Sequence, residues 1–120
     1  MVKKALITGV TGQTGAYLAK TLLENGYEVY GGVRRNSTAN DWRLRELNIH
    51  DRVKQVPFEL LEMTNLQSII QDVKPDEIYN LAAQSFVGVS FDQPVYTADV
   101  NAMGVARLLE AIRLQNKDIK

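Results

Sequence analysis

Three glycines, Gly9, Gly12 and Gly15, stand in the run Lys4-Ala5-Leu6-Ile7-Thr8-Gly9-Val10-Thr11-Gly12-Gln13-Thr14-Gly15. An apolar stretch precedes them and a helical pattern, Ala16-Tyr17-Leu18-Ala19, follows. A strand that turns sharply into a helix leaves the first N–H groups of that helix without intrahelical partners. Those groups sit at the positive end of the helix dipole and attract phosphate. Glycine permits the tight turn, the close approach of a pyrophosphate and close helix–strand packing. The candidate dinucleotide contacts are therefore Gly9, Val10, Thr11, Gly12, Gln13, Thr14 and Gly15. The motif speaks for binding and leaves open what reaction follows.

A second constellation lies at the end of the next apolar segment. A carboxylate there would grip the ribose 2′-OH of NAD. The sequence has Gly31-Gly32-Val33-Arg34-Arg35-Asn36 instead. A guanidinium fork pairs with phosphate oxygens, so Arg34 and Arg35 point to the extra 2′-phosphate of NADP. The plainer reading is a solvated basic pair on a loop. In Phe58-Glu59-Leu60, the Glu59 carboxylate could accept from the adenine amine while Leu60 packs the ring face. An ordinary strand-end acid would look the same. Asn80-Leu81-Ala82-Ala83-Gln84-Ser85 places small residues where a backbone must approach a ligand, or where a helix must pack closely. Phe86-Val87-Gly88-Val89-Ser90-Phe91 is an apolar loop with one hydroxyl, either a pocket wall or packing beneath the last helix. Tyr96 opens that helix and could bond a cofactor ribose; Asn101 reads as structural. His50 has no second ligand at metal spacing. Trp42 reads as a cover over the second helix, and Arg43 with Arg45 as a solvated face.

The elements that must position these residues alternate. Strands are expected over 2–8, 28–33, 53–58 and 77–83. Helices are expected over 13–25, 36–48, 65–73 and 95–115, with 85–94 as a loop. Leu18, Leu22 and Leu23 face the sheet in the first helix, and Gly26 stops it. Thr64 is the expected N-cap of the third helix. The last helix is expected to present Val100, Met103, Leu108, Leu109 and Ile112. This rhythm predicts an α/β fold with a Rossmann-type, doubly wound parallel sheet, of which the first half, in strand order 3-2-1-4, is present. The fourth strand is then an apolar edge, which proteins normally cover. The reading is therefore of a piece, or of a chain completed by a partner.

The bulk numbers fit that picture. The chain has 120 residues, 45% of them hydrophobic and 23% charged, which is one globular domain at most. Its 14 basic and 14 acidic residues cancel, so global charge advertises neither a nucleic acid nor a membrane partner. It has no cysteine, which removes disulfides and thiolate chemistry. With no signal-peptide pattern, a cytoplasmic location is expected.

The G-x-x-G-x-x-G spacing resembles that of short-chain dehydrogenase/reductases of the extended kind. The resemblance narrows on Ile7-Thr8-Gly9-Val10-Thr11-Gly12-Gln13, Arg34-Arg35, the run from Pro75 to Ser85, Val89-Ser90-Phe91 and Tyr96-Thr97-Ala98-Asp99-Val100. Together these are similar to the GDP-mannose 4,6-dehydratase family over all 120 residues. The resemblance implies an NADP-binding N-terminal Rossmann domain and a smaller region for the sugar nucleotide. It implies oxidation at carbon 4 of the mannose ring, loss of water across carbons 5 and 6, and return of hydride to carbon 6. By resemblance, Gly9 through Thr14 hold the pyrophosphate, Arg35 with Arg34 the 2′-phosphate, and Glu59 with Leu60 the adenine. Leu81, Ala82, Ala83, Gln84, Ser85 and Tyr96 line the rest of the cofactor site. Ser85, Val87 and Ser90 face the sugar. Two positions depart from the family: Thr14 stands where an acid is usual, with its hydroxyl expected to cap the helix, and Glu59 replaces Asp. The family's Thr/Ser-x-Glu and Tyr-x-x-x-Lys motifs lie beyond residue 120, so no catalytic residue is assigned and the chain alone is expected to be inactive. GDP-mannose and further copies of the chain are the expected partners. Related epimerases and 4-keto-sugar reductases, or a non-catalytic nucleotide-binding module, are the alternatives.

Overall fold

Ala5, Leu6 and Ile7 are the reason for the architecture. Side chains alternate across a strand, and all three are fully buried. Leu6 therefore needs a core on one face of the sheet while Ala5 and Ile7 need one on the other. The computed structural model, which describes residues 2–33, 41–81 and 93–120, supplies both. β1 (Lys4–Thr8) lies inside a parallel sheet with β2 (Glu28–Val33), β3 (Val53–Pro57) and β4 (Glu77–Asn80). The strand order is β3-β2-β1-β4, as the alternating pattern predicts.

On one face, Ala5, Ile7 and Val29 pack against α1 (Gln13–Glu24) and α2 (Trp42–Glu46) through Ala16, Ala19, Leu22 and Leu44. On the other, Leu6 meets α3 (Met63–Val73) and α5 (Gly104–Gln115) through Leu66, Ile70, Leu108 and Ala111. Helices on both faces are what a parallel sheet requires. α1 ends at Glu24 with Asn25 as its C-cap, and Gly26 follows at a φ of +83° that glycine adopts without strain.

Several local expectations change. α3 starts at Met63, with Glu62 as an N-cap that makes no side-chain bond, so Thr64 is not the cap. Asn65 takes over the corner instead: its Oδ1 accepts from the Glu59 N–H at 2.7 Å and its Nδ2 donates to the Pro57 carbonyl at 3.0 Å. The expected single helix over 95–115 is broken into α4 (Pro94–Ala98), a π turn (Asp99–Met103) and α5. A π turn inserts a residue and shifts the phase of the apolar face. Val100 and Leu108 are buried, whereas Met103 and Leu109 are exposed. β4 stops at Asn80; residues 82–92 lie outside the described residues. Its outer edge is partly engaged, because the Ile78 N–H donates to the Lys120 carbonyl at 2.6 Å and the Lys120 N–H to the Asp76 carbonyl at 3.1 Å.

At the amino end of the sheet, Glu77 gathers the hydroxyls of Tyr27 (3.0 Å) and Tyr79 (2.6 Å), with Lys3 at 3.9 Å. The Tyr79 hydrogen bond, followed by that of Tyr27, holds the Glu77 carboxyl below its usual range against the cost of burial. The same bond, with burial, pushes Tyr79 up to about 12. A depressed folded-state carboxyl contributes stability at neutral pH that is lost as pH falls through the acidic range. A raised phenol contributes stability that is lost as pH rises through about 12. Glu77→Gln should therefore lower the urea midpoint at pH 7, with the difference from the parent shrinking towards pH 3. An equal difference at both pH values would remove the ionic role of Glu77.

Candidate functional site

β1 delivers the chain into the glycine turn. The Gly9 N–H donates to the Gly32 carbonyl at 3.2 Å, which carries the β1–β2 ladder one step past the strand. Gly9 has φ +71°, a left-handed conformation that favours glycine. Its carbonyl accepts from the Gly12 N–H at 3.0 Å and closes the turn. Gly12 is the N-cap of α1, and no side chain caps the helix, so Thr14 does not play the capping role expected of it. Among the described residues, the N–H groups of Gln13, Thr14 and Gly15 have no acceptor. They form an open row of donors at a positive helix end.

Gly15 fixes how closely that row approaches the turn. A Cβ there would lie 2.3 Å from the Gly9 carbonyl oxygen and 2.9 Å from the Val10 Cα. Gly12 is less confined, with its nearest contact at 3.3 Å. Val10 is fully buried, and a Cβ on Gly31 would meet its Cγ1 at 2.5 Å. Val10 is thus a wedge between turn and sheet, and only its backbone can face a ligand. Gly32 makes room for Phe58, whose Cβ would sit 2.8 Å from a Cβ at position 32. The Gly31-Gly32 pair has a packing purpose that sequence reasoning did not assign.

Arg43 belongs to the site's support, not to a solvated face. Its Nη1 donates to the Thr11 carbonyl at 3.1 Å, and its guanidinium stacks on Trp42 at 4.4 Å. Arg45 does lie outward, paired with Asp41 at 3.2 Å, and His50 Nε2 meets the same carboxylate at 2.7 Å. No cluster of metal-ligating side chains occurs among the described residues. No described helix is long and apolar enough to cross a membrane.

The carboxyl ends of the strands converge beside the turn. The Phe58 N–H donates to the Val33 carbonyl at 2.9 Å, and the Leu81 N–H to the Thr8 carbonyl at 3.2 Å. Thr8, almost fully buried, donates through Oγ1 to Asn80 Oδ1 at 2.6 Å and accepts from the Leu81 N–H at 3.0 Å. This stitch between β1 and β4 marks where the strand order reverses, the point at which open α/β sheets bind ligands. Glu59 stands at the end of β3, one carboxylate oxygen accepting from the Leu61 N–H at 3.2 Å. Its other oxygen makes no bond among the described residues. Leu60 differs from expectation: it is only 3% exposed and packs where Gly104 leaves space, so its side chain is not presented to a base. Leu81 is exposed, and Tyr96 packs partly buried against the second core. Arg34, Arg35, Ala82, Ala83, Gln84, Ser85, Val87 and Ser90 lie outside the described residues.

A 3-2-1-4 parallel sheet with a glycine turn between its first strand and first helix is the first half of a doubly wound α/β domain. Solved structures share this fold. The UDP-glucose 4-epimerase of Thermotoga maritima, determined with UDP-glucose, superposes with a TM-score of 0.78 at 25% identity, covering 94% of this chain and 35% of that one. The UDP-glucose 4-epimerase of Thermus thermophilus, a complex with NAD, gives 0.77 at 28% identity, covering 93% and 34%. In sequence, the family model described as GDP-mannose 4,6 dehydratase matches residues 6–120, and the chain belongs to that family. The GDP-mannose 4,6-dehydratase of Vibrio cholerae is 56% identical over 119 residues, covering 95% of this chain and 32% of that protein. The human GDP-mannose 4,6 dehydratase is 51% identical over 115 residues, covering 91% and 31%. The chain spans about a third of the length of the curated relatives it matches.

Proposed function

We propose that this chain is the NADP-holding part of a cytoplasmic enzyme that converts GDP-mannose to GDP-4-keto-6-deoxy-mannose. The observation that carries the reading is the row of unbonded amides from Gln13 to Gly15, set against a turn that a Cβ at position 15 would fill. That cradle fits a pyrophosphate, which needs N–H donors and a backbone without side chains in the way. Gly9 through Gly15 would hold the pyrophosphate, and Val10 would do so through its backbone alone. Arg34 and Arg35 follow β2 directly and would pair with the 2′-phosphate. The free oxygen of Glu59 would accept from the adenine amine. Leu81 through Ser85 and Tyr96 would line the remainder, with Ser85, Val87 and Ser90 towards the sugar. Bound there, NADP would supply a reversible hydride acceptor next to the sugar. What these residues contribute is binding, orientation and exclusion of water. Proton transfer at the sugar requires groups that resemblance locates beyond residue 120.

The reading makes a two-part prediction. Calorimetry with the purified protein should show binding of NADP in preference to NAD. Product formation from GDP-mannose should be undetectable for the 120 residues alone. Absence of binding to either cofactor would contradict the first part, and turnover by the isolated segment the second.

A further inference from the structure

The geometry points to Arg107 as a positioning residue for the adenosine half of the bound nucleotide, an inference that rests on the nucleotide-binding reading above. Arg107 lies in α5, which packs in the same core as α3 and Leu60. Its Nη1 donates to the Leu60 carbonyl at 2.8 Å, while its Nη2 pairs with the Asp99 carboxylate. Eight residues separate Asp99 from Arg107, about 12 Å along a regular helix. The guanidinium therefore reaches back across the π turn, and its side chain is only 24% exposed. Gly104, between them, lets Leu60 approach: a Cβ there would lie 3.0 Å from the Leu60 Cβ.

The consequence falls on Glu59. Its N–H is tied to Asn65 and its carboxylate to the Leu61 N–H. Arg107 holds the carbonyl of that same Leu60–Leu61 peptide group. The residue that would read the adenine is thus clamped from α3 on one side and from α5 on the other. The corner also borders the end of β2, through the Phe58 N–H on the Val33 carbonyl, immediately before Arg34 and Arg35. Arg107 touches the corner's backbone and not the ligand. The planar fork donates to the Leu60 carbonyl and to the Asp99 carboxylate from two separate nitrogens; a lysine ammonium keeps the charge on one nitrogen with a different reach and geometry.

The test is Arg107→Lys, with Arg107→Ala beside it, in the purified protein. Adenosine 2′,5′-bisphosphate and inorganic pyrophosphate each compete against NADP, and urea denaturation reads stability. We expect Arg107→Lys to weaken the adenosine bisphosphate about tenfold, the loss of a charge-assisted hydrogen bond's worth of organisation, while pyrophosphate, which reads the glycine turn, is unchanged. Unchanged affinity for both probes overturns the inference. So does an equal loss for both that follows the drop in stability, because that is the mark of a general packing role. Failure of the parent protein to bind either probe would instead strike the nucleotide-binding reading itself.

Discussion

Gly15→Ala is expected to lower NADP affinity by roughly 100-fold or more and to cost about 1–3 kcal/mol of stability, the usual range for overpacking a closed site. The added methyl would stand 2.3 Å from the Gly9 carbonyl oxygen, a backbone atom that cannot rotate away. Relief requires α1 to back off from the turn or the turn to open. Either movement disperses the amides that make the cradle, so binding suffers more than folding does. Two controls separate these effects. Gly12→Ala meets the same oxygen at 3.3 Å and should cost far less. Gly26→Ala strains a positive φ but meets nothing within 4 Å, so it should lower stability by about 1 kcal/mol and leave affinity alone. Calorimetry with NADP and urea denaturation of the three variants measure both quantities. A Gly15→Ala protein that binds as the parent does would show that the close approach has no bearing on the ligand.

Arg35→Ala is expected to weaken NADP by about 10–100-fold and NAD by little. A charge-assisted hydrogen bond to a phosphate contributes roughly 1.5–3 kcal/mol, and only NADP carries the group that would receive it. The motive is the residue pattern after β2: no carboxylate to accept from a ribose 2′-OH, and two guanidinium groups in its place. Arg34→Ala should act in the same direction. Equal losses for both cofactors, measured by calorimetry at one salt concentration, would place Arg35 on the shared pyrophosphate or on folding.

Local features were the legible ones. β2 runs from Glu28 to Val33, the bounds expected from its pattern, because Gly26 ends the preceding helix and an apolar alternation begins at once. The order 3-2-1-4 follows from strand–helix alternation and the handedness of crossovers. The glycine turn is visible because its requirements fall within seven consecutive residues. What stayed hidden depends on residues distant in sequence. Leu60 reads as a residue facing the adenine ring, yet it packs in the second core, where Gly104 leaves it space. Arg43 looks like half of a solvated pair, yet α2 lies close enough to the turn for it to reach Thr11. Met103 and Leu109 are apolar residues of the last helical segment, yet Leu109 lies about 180° round a regular helix from Val100 and about 100° from Leu108, so it falls outside the buried stripe. Thr64 is not the α3 cap because the helix starts one residue before it, at Met63, with Glu62 in the capping position. Thr8 and Asn80 are each ordinary in sequence; parallel pairing of β1 with β4 makes them neighbours.

If the backbone donors from Gln13 to Gly15 receive phosphoryl oxygens, hydrogen–deuterium exchange with and without saturating NADP reads it most directly. Exchange in the peptide spanning residues 9–16 should slow on addition of the cofactor, and by less in Gly15→Ala. Saturation with NADP that leaves that peptide's exchange untouched, while protection appears elsewhere in the chain, would contradict it.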